Sequence, residues 1–147
     1  MEKHRHFSFQ TKEIIIVLCK NQIIQLSFQE MFFQNQTKKE MSAAYILLDY
    51  FKADAKFIPR NNCRTPDLLI NRIEWELKAP TDSGKRNLQH TISQAIKQSQ
   101  YIIIDARFSK IHISKIKSHL TAEIKKNKQI KRLLLIDKQK NIVEIFR

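Results

Sequence analysis

The sequence predicts a mixed α/β domain whose core elements run helix, three strands, helix, strand, and three observations predict it. Pro66 to Lys78 holds two apolar runs, Leu68 to Ile70 and Ile73 to Leu77, flanking Asn71-Arg72, the pattern of a β-hairpin closed by a two-residue turn. Segments 39–53 and 87–100 carry apolar residues at helical spacing. Tyr101 to Asp105 is a continuous apolar run ending in a carboxylate, as expected of a central strand covered on both faces.

Taken in order, residues 1–38 form an accessory segment. Its apolar runs Ile14 to Leu18 and Ile23 to Leu26 predict a β-hairpin packed as an extra layer on the main fold, and His4 and His6 belong to a solvated terminus. The main domain is 39–147. Met41, Ala44, Tyr45, Leu47, Leu48 and Phe51 predict its first helix, with Glu40 at the start projecting towards the buried side, where a first-turn carboxylate also complements the helix dipole. A short strand at 56–58 is ended by Pro59, and a polar 60–64 loop leads into the hairpin. Pro80 stops the last hairpin strand, and Gly84, the single glycine, marks a special backbone position. Ser83, Lys85 and Arg86 beside it read either as a phosphate-contacting loop or as a plain surface turn. In helix 87–100, Leu88, Ile92, Ala95, Ile96 and Ser99 make the core stripe, while Gln94, Lys97 and Gln98 face elsewhere. Asp105 is expected in the loop after its strand. A helix at 114–126, a strand at 132–136 and an edge strand at 142–146 complete the chain.

The net charge is +13, from 27 Lys+Arg against 14 Asp+Glu. Such an excess favours nucleic acid or another polyanion as partner, because each phosphate contact releases counterions. Most carboxylates lie before residue 82. Lys115, Lys117, Lys125, Lys126, Lys128, Lys131 and Arg132 crowd the second half, which is expected to line the polyanion groove. Cys19 and Cys63 lack metal or redox spacing and read as reduced thiols. No stretch approaches the roughly 18 apolar residues of a membrane span, and the basic start is not followed by a secretory apolar core, so no membrane insertion is expected. The expected site of action is cytoplasmic, with no delivery segment to show a route.

The hairpin carries the chemistry. If Ile70 faces Ile73, then Leu68 faces Trp75 and Asp67 lies opposite Glu76, with side chains roughly 5 Å apart. Alternation places Asp67, Glu76 and Lys78 on one face and Leu68, Ile70, Ile73, Trp75 and Leu77 on the other. Opposed carboxylates are unfavourable unless a cation sits between them. Mg2+, or another divalent cation such as Mn2+ or Zn2+, is the natural candidate, since magnesium is commonly held by one or two carboxylates with water and substrate phosphate. Lys78 would then position or activate water, or stabilise charge developing on phosphate. An ordinary lysine keeps its proton at neutral pH, which favours positioning over deprotonation.

Pro66-Asp67 followed at hairpin distance by Glu76-Leu77-Lys78 resembles the PD-(D/E)xK signature of the restriction-endonuclease-like nucleases. From about Glu40 onward the chain more narrowly resembles the C-terminal tRNase toxin domains of CdiA-type contact-dependent inhibition proteins. The Thr65 to Ile70 run, Trp75 to Lys78, Ser83 to Arg86, and Lys97-Gln98-Ser99 with Ile104-Asp105 carry that likeness. The resemblance implies an αβββαβ core, a metal held by Asp67, Glu76 and the Leu77 carbonyl, Lys78 as catalytic amine and Glu40 as a supporting carboxylate. It also implies a polar residue near the scissile phosphate, either Gln94 or Gln98, and an acidic immunity protein. The function implied is a metal-dependent endoribonuclease acting on tRNA as a toxin. A DNA endonuclease of the same fold and a non-catalytic nucleic-acid-binding protein are the alternatives. The turn departs from expectation: Asn71-Arg72 lacks glycine, and Arg72 must accept a positive φ if the turn is type I′.

Overall fold

The computed structural model describes the backbone of residues 14–19 and 22–27 and, beyond these, residues 37–58, 64–81 and 85–146. The chain divides into two compact units, Met1–Met31 and Phe32–Arg147. In the first, β1 (Ile14–Cys19) and β2 (Gln22–Ser27) pair antiparallel, with Cys19 opposite Gln22. His4, His6 and Cys63 lie outside the described residues.

In the second unit the elements are α1 (Lys38–Phe51), β3 (Ala55–Phe57), β4 (Leu68–Ile70), β5 (Ile73–Lys78), α2 (Lys85–Ile96), β6 (Tyr101–Asp105), α3 (Ile113–Lys126), β7 (Arg132–Ile136) and β8 (Ile142–Ile145). The strands form a six-stranded mixed sheet in the order β3-β4-β5-β6-β7-β8. Pairing is antiparallel from β3 to β5, parallel from β5 to β7, and antiparallel at β8. The predicted α/β class and αβββαβ order therefore hold, extended by α3, β7 and β8.

The covered centre of the sheet explains its composition. Ile102, Ile103, Ile104, Leu133, Leu134 and Leu135 are fully buried, because helices lie over both faces of these parallel strands. On one face Leu88, Ile92 and Ala95 of α2 and Ile116, Leu120 and Ile124 of α3 pack over Ile102, Ile104, Leu133 and Leu135. On the other, Phe51 at the end of α1 meets the Trp75 ring at 5.3 Å, and Trp75 meets Tyr101 at 5.3 Å. Arg132 lies over both Phe51 and Trp75 while its guanidinium forks onto Glu144 at 2.8 and 2.9 Å.

Three expectations change. Helix α2 begins at Lys85 and ends at Ile96, so Lys85 and Arg86 stand in its first turn rather than in a loop; Ser83 and Gly84 lie outside the described residues. Lys97 and Gln98 sit in the closing turn, where the Lys97 and Gln98 amides donate to the Gln94 and Ala95 carbonyls three residues back, so they have left the helix face. Asp105 is the last residue of β6, fully buried, rather than a loop residue. Lys125 and Lys126 occupy the last turn of α3, where they complement its dipole, and Lys131 lies 5.9 Å from the ring of Tyr101, at the end of β6 remote from Asp105. No helix among the described residues is long and apolar enough to cross a membrane.

Candidate active site

The site is built on the β4–β5 hairpin. Leu68 pairs with Trp75, Leu69 with Glu74 and Ile70 with Ile73, the register read from the sequence. Asn71 and Arg72 both take positive φ, 51° and 64°, as a type I′ turn demands. Asp67 precedes β4, yet its backbone is held on both sides: its amide donates to the Trp75 carbonyl at 3.1 Å and its carbonyl accepts from Ile58 at 2.9 Å. The bond to Trp75 rather than to Glu76 takes Asp67 one place out of the predicted pairing, while its carboxylate still reaches that of Glu76.

Asp67 and Glu76 are both buried, Glu76 completely. Asp67 Oδ2 accepts from the Leu77 amide at 3.0 Å. Glu76 Oε1 accepts from Gln98 Nε2 at 2.8 Å and is ion-paired with Lys78 Nζ. Its other oxygen, Oε2, is buried with no hydrogen-bond partner. Burial pushes the Glu76 carboxyl up to about 7, and Asp67 adds to the rise against the opposing pull of Lys78.

Beside this pair a cleft of about 310 Å³ opens between the first turn of α1 and the end of β5, lined by Thr37, Lys39, Glu40, Asp67, Leu77, Lys78 and Ala79. Glu40 reaches the cleft wall as part of a capping box: its Oε2 accepts from the Thr37 amide at 2.7 Å, while Thr37 Oγ1 accepts from the Glu40 amide at 3.2 Å. Glu40 thus caps α1 and lines the cleft. Among the described residues no three His, Cys, Asp or Glu side chains come together as a metal-ligand cluster. A cation here would take its protein ligands from the carboxylate pair and a backbone carbonyl.

The fold therefore gathers Asp67, Glu76, Lys78 and Gln98 directly and sets Glu40 across the cleft. Gln94 is half-buried within α2, Lys97 and Arg86 are exposed, and none of the three lines the cleft. Two participants were missed from the sequence. Thr37 was signalled by Thr-x-x-Glu at 37–40, the capping-box spacing. Arg107 carried no motif, yet it forks onto buried Asp105 at 2.8 and 2.7 Å and reaches Ser42 Oγ and the Lys39 carbonyl, tying α1 to the end of β6.

The chain and its fold have counterparts. The family model for the contact-dependent growth inhibition CdiA C-terminal domain matches residues 64–142, which take in the hairpin and the sheet beyond it. The fold is similar to the solved CdiA-CT/CdiI toxin and immunity complex from Burkholderia pseudomallei, with a TM-score of 0.56 and 24% identity over 74% of this chain and 83% of that one. No curated protein sequence matches. With more than half of its length, hairpin included, inside the matched region, the chain belongs to the contact-dependent growth inhibition CdiA C-terminal domain family.

Proposed function

We propose that this toxin domain is a metal-dependent endoribonuclease, with tRNA as its substrate and Asp67, Glu76 and Lys78 as its working residues. The observation that carries the reading is the buried Asp67–Glu76 pair, with Glu76 Oε2 lacking any partner. A buried carboxylate oxygen left unsatisfied costs about 1–3 kcal/mol or more, which a fold tolerates where something else completes the site. The residues fit a hard divalent cation such as Mg2+: two carboxylates and the Leu77 carbonyl offer only oxygen, leaving room for water and phosphate. When bound, such an ion supplies Lewis-acid polarisation of the phosphate and neutralises charge in the displacement.

The chain's own residues do the rest. Gln98 holds Glu76 by Oε1, which leaves Oε2 as the ligating oxygen. The Leu77 amide fixes Asp67 through Oδ2. Lys78, ion-paired with Glu76 in this state, is positioned to turn to the scissile phosphate and stabilise the developing charge. The net charge of +13 favours a polyanionic substrate. The likeness to a toxin and immunity complex supports an acidic immunity protein as a second partner, one that would complement the chain's net positive charge.

The test is incubation of the purified protein with total tRNA and, separately, with double-stranded DNA, in magnesium or chelator, beside Asp67→Ala and Glu76→Ala. Discrete tRNA fragments lost with chelator and with either variant are expected. DNA cleavage with the same dependence would keep the site and change the substrate. Binding without cleavage in all three proteins would make this a binding module.

A further inference from the structure

Phe108 is an aromatic side chain left 42% exposed in the turn that leaves β6. A lone exposed apolar residue ordinarily signifies nothing, but this one is held in a specific frame. The side chain of its neighbour Arg107 is only 6% exposed and is anchored at Asp105, Ser42 and the Lys39 carbonyl, and its guanidinium carbon lies 5.1 Å from the Phe108 ring centre. Over the same ring stands Lys39 Nζ at 4.7 Å. Lys39 also lines the cleft beside Asp67 and Lys78. The ring is thus one lysine side chain away from the carboxylate pair, and a cation rests on its π-system.

We propose that Phe108 is the stacking platform for an unpaired nucleobase next to the scissile phosphate, with Lys39 as its phosphate-binding companion. The inference rests on the nuclease reading above. A phosphate seated by Lys78 draws the Lys39 ammonium off the ring and onto the neighbouring phosphate. The vacated π-face then takes the adjoining base, which offers a flat partner whatever its sequence. Arg107, fixed by its ion pair to Asp105, keeps the ring from following the base. Stacking needs a base free of its own helix, so the platform selects a single-stranded or loop nucleotide over a duplex.

The experiment uses the full chain and oligoribonucleotides carrying 2-aminopurine beside the cleavage position, either unpaired or within a duplex, in Phe108→Ala, Phe108→Leu and Phe108→Trp proteins. Binding is read in chelator, so that it does not depend on cleavage. Truncation to Ala or Leu is expected to weaken binding of the unpaired probe by about 5- to 150-fold and abolish its fluorescence quenching, while Trp preserves both. The duplex probe should not distinguish the four proteins. If Leu and Ala bind and cleave as the wild type does, the platform is overturned while the nuclease reading stands, and the ring is left as a contact for a protein partner. If the wild type binds and quenches the unpaired probe in this order of variants but cuts no nucleic acid in magnesium, the nuclease reading fails, and with it the place of the platform beside a scissile phosphate, while base stacking on Phe108 stands. Absence of binding to either probe by the wild type overturns both.

Discussion

Gln98 donates from Nε2 to Oε1 of Glu76 at 2.8 Å, joining the turn after α2 to the buried carboxylate of β5. The bond fixes the rotation of Glu76, so under the proposed metal-dependent reading Gln98 would act on the metal through Glu76. Gln98→Ala is expected to weaken divalent-ion binding and slow cleavage by about 10- to 100-fold, the usual effect of losing such a support. Calorimetric titration with Mn2+ beside cleavage rates checks it. Affinity and rate equal to wild type would show that Gln98 only fills space.

The raised Glu76 carboxyl, at about 7 against 4.5, gives a pH signature with a defined sign. Because the folded chain holds this proton more tightly than the unfolded one, the metal-free domain loses stability as pH rises from about 4.5 to 7, and the loss is complete above that. Its full size is on the order of 3 kcal/mol. Glu76→Gln should therefore melt higher than wild type at pH 8 without metal, with the gap closing near pH 5. Added magnesium should raise the wild-type melting temperature at pH 8 and leave the variant unmoved. Below pH 7, proton competition should weaken apparent metal affinity by about tenfold per pH unit. Thermal melts across pH, with and without metal, read both effects.

The hairpin was legible because local chemistry and period agree in it. Alternation over Leu68 to Leu77 fixes faces, and the two-residue turn fixes register as far as Leu68 and Trp75, so the nearness of the Asp67 and Glu76 carboxylates followed from one short segment although Asp67 itself leaves the register. What local pattern lacks is the meeting of distant segments. Gln98 reaches Glu76 across 22 positions, and Arg107 reaches Ser42 across 65, through sheet order and helix placement that periodicity does not encode. The role of Asp105 was misread for the same reason: a carboxylate ending an apolar run looks like an exit to solvent until the arginine that buries it is known. The boundaries of α2 shifted because helix ends are set by how far intrahelical bonding continues, and that is only weakly marked in the sequence.

Arg107 is the partner that makes buried Asp105 tolerable, and removing it should be costly. Arg107→Ala is expected to destabilise the domain by about 3–5 kcal/mol, since it leaves an uncompensated buried charge. Pairing it with Asp105→Ala should recover a large part of that loss. Urea denaturation of the two single variants and the double variant measures the coupling. Additive losses would mean that the two residues contribute independently.

The turn offers the opposite manipulation. Arg72 sits at φ 64°, where a Cβ crowds the backbone, and it is exposed at the hairpin tip. Asn71, at φ 51°, is a residue that tolerates this region, so Arg72 carries the greater strain. Arg72→Gly converts the turn to Asn-Gly, the preferred type I′ pair, and is expected to stabilise the domain by about 0.5–1 kcal/mol despite the added freedom of the unfolded chain. Since the register is set by the turn, Arg72→Pro should do the reverse: a ring that holds φ near −65° is incompatible with this conformation. The β4–β5 pairing would then loosen, and with it the close approach of the Asp67 and Glu76 carboxylates. Denaturation midpoints and metal affinities measured together distinguish the cases. The glycine variant should gain stability with metal affinity unchanged, and the proline variant should lose both. A proline variant that kept its metal affinity would show that the turn does not set the spacing of the carboxylates.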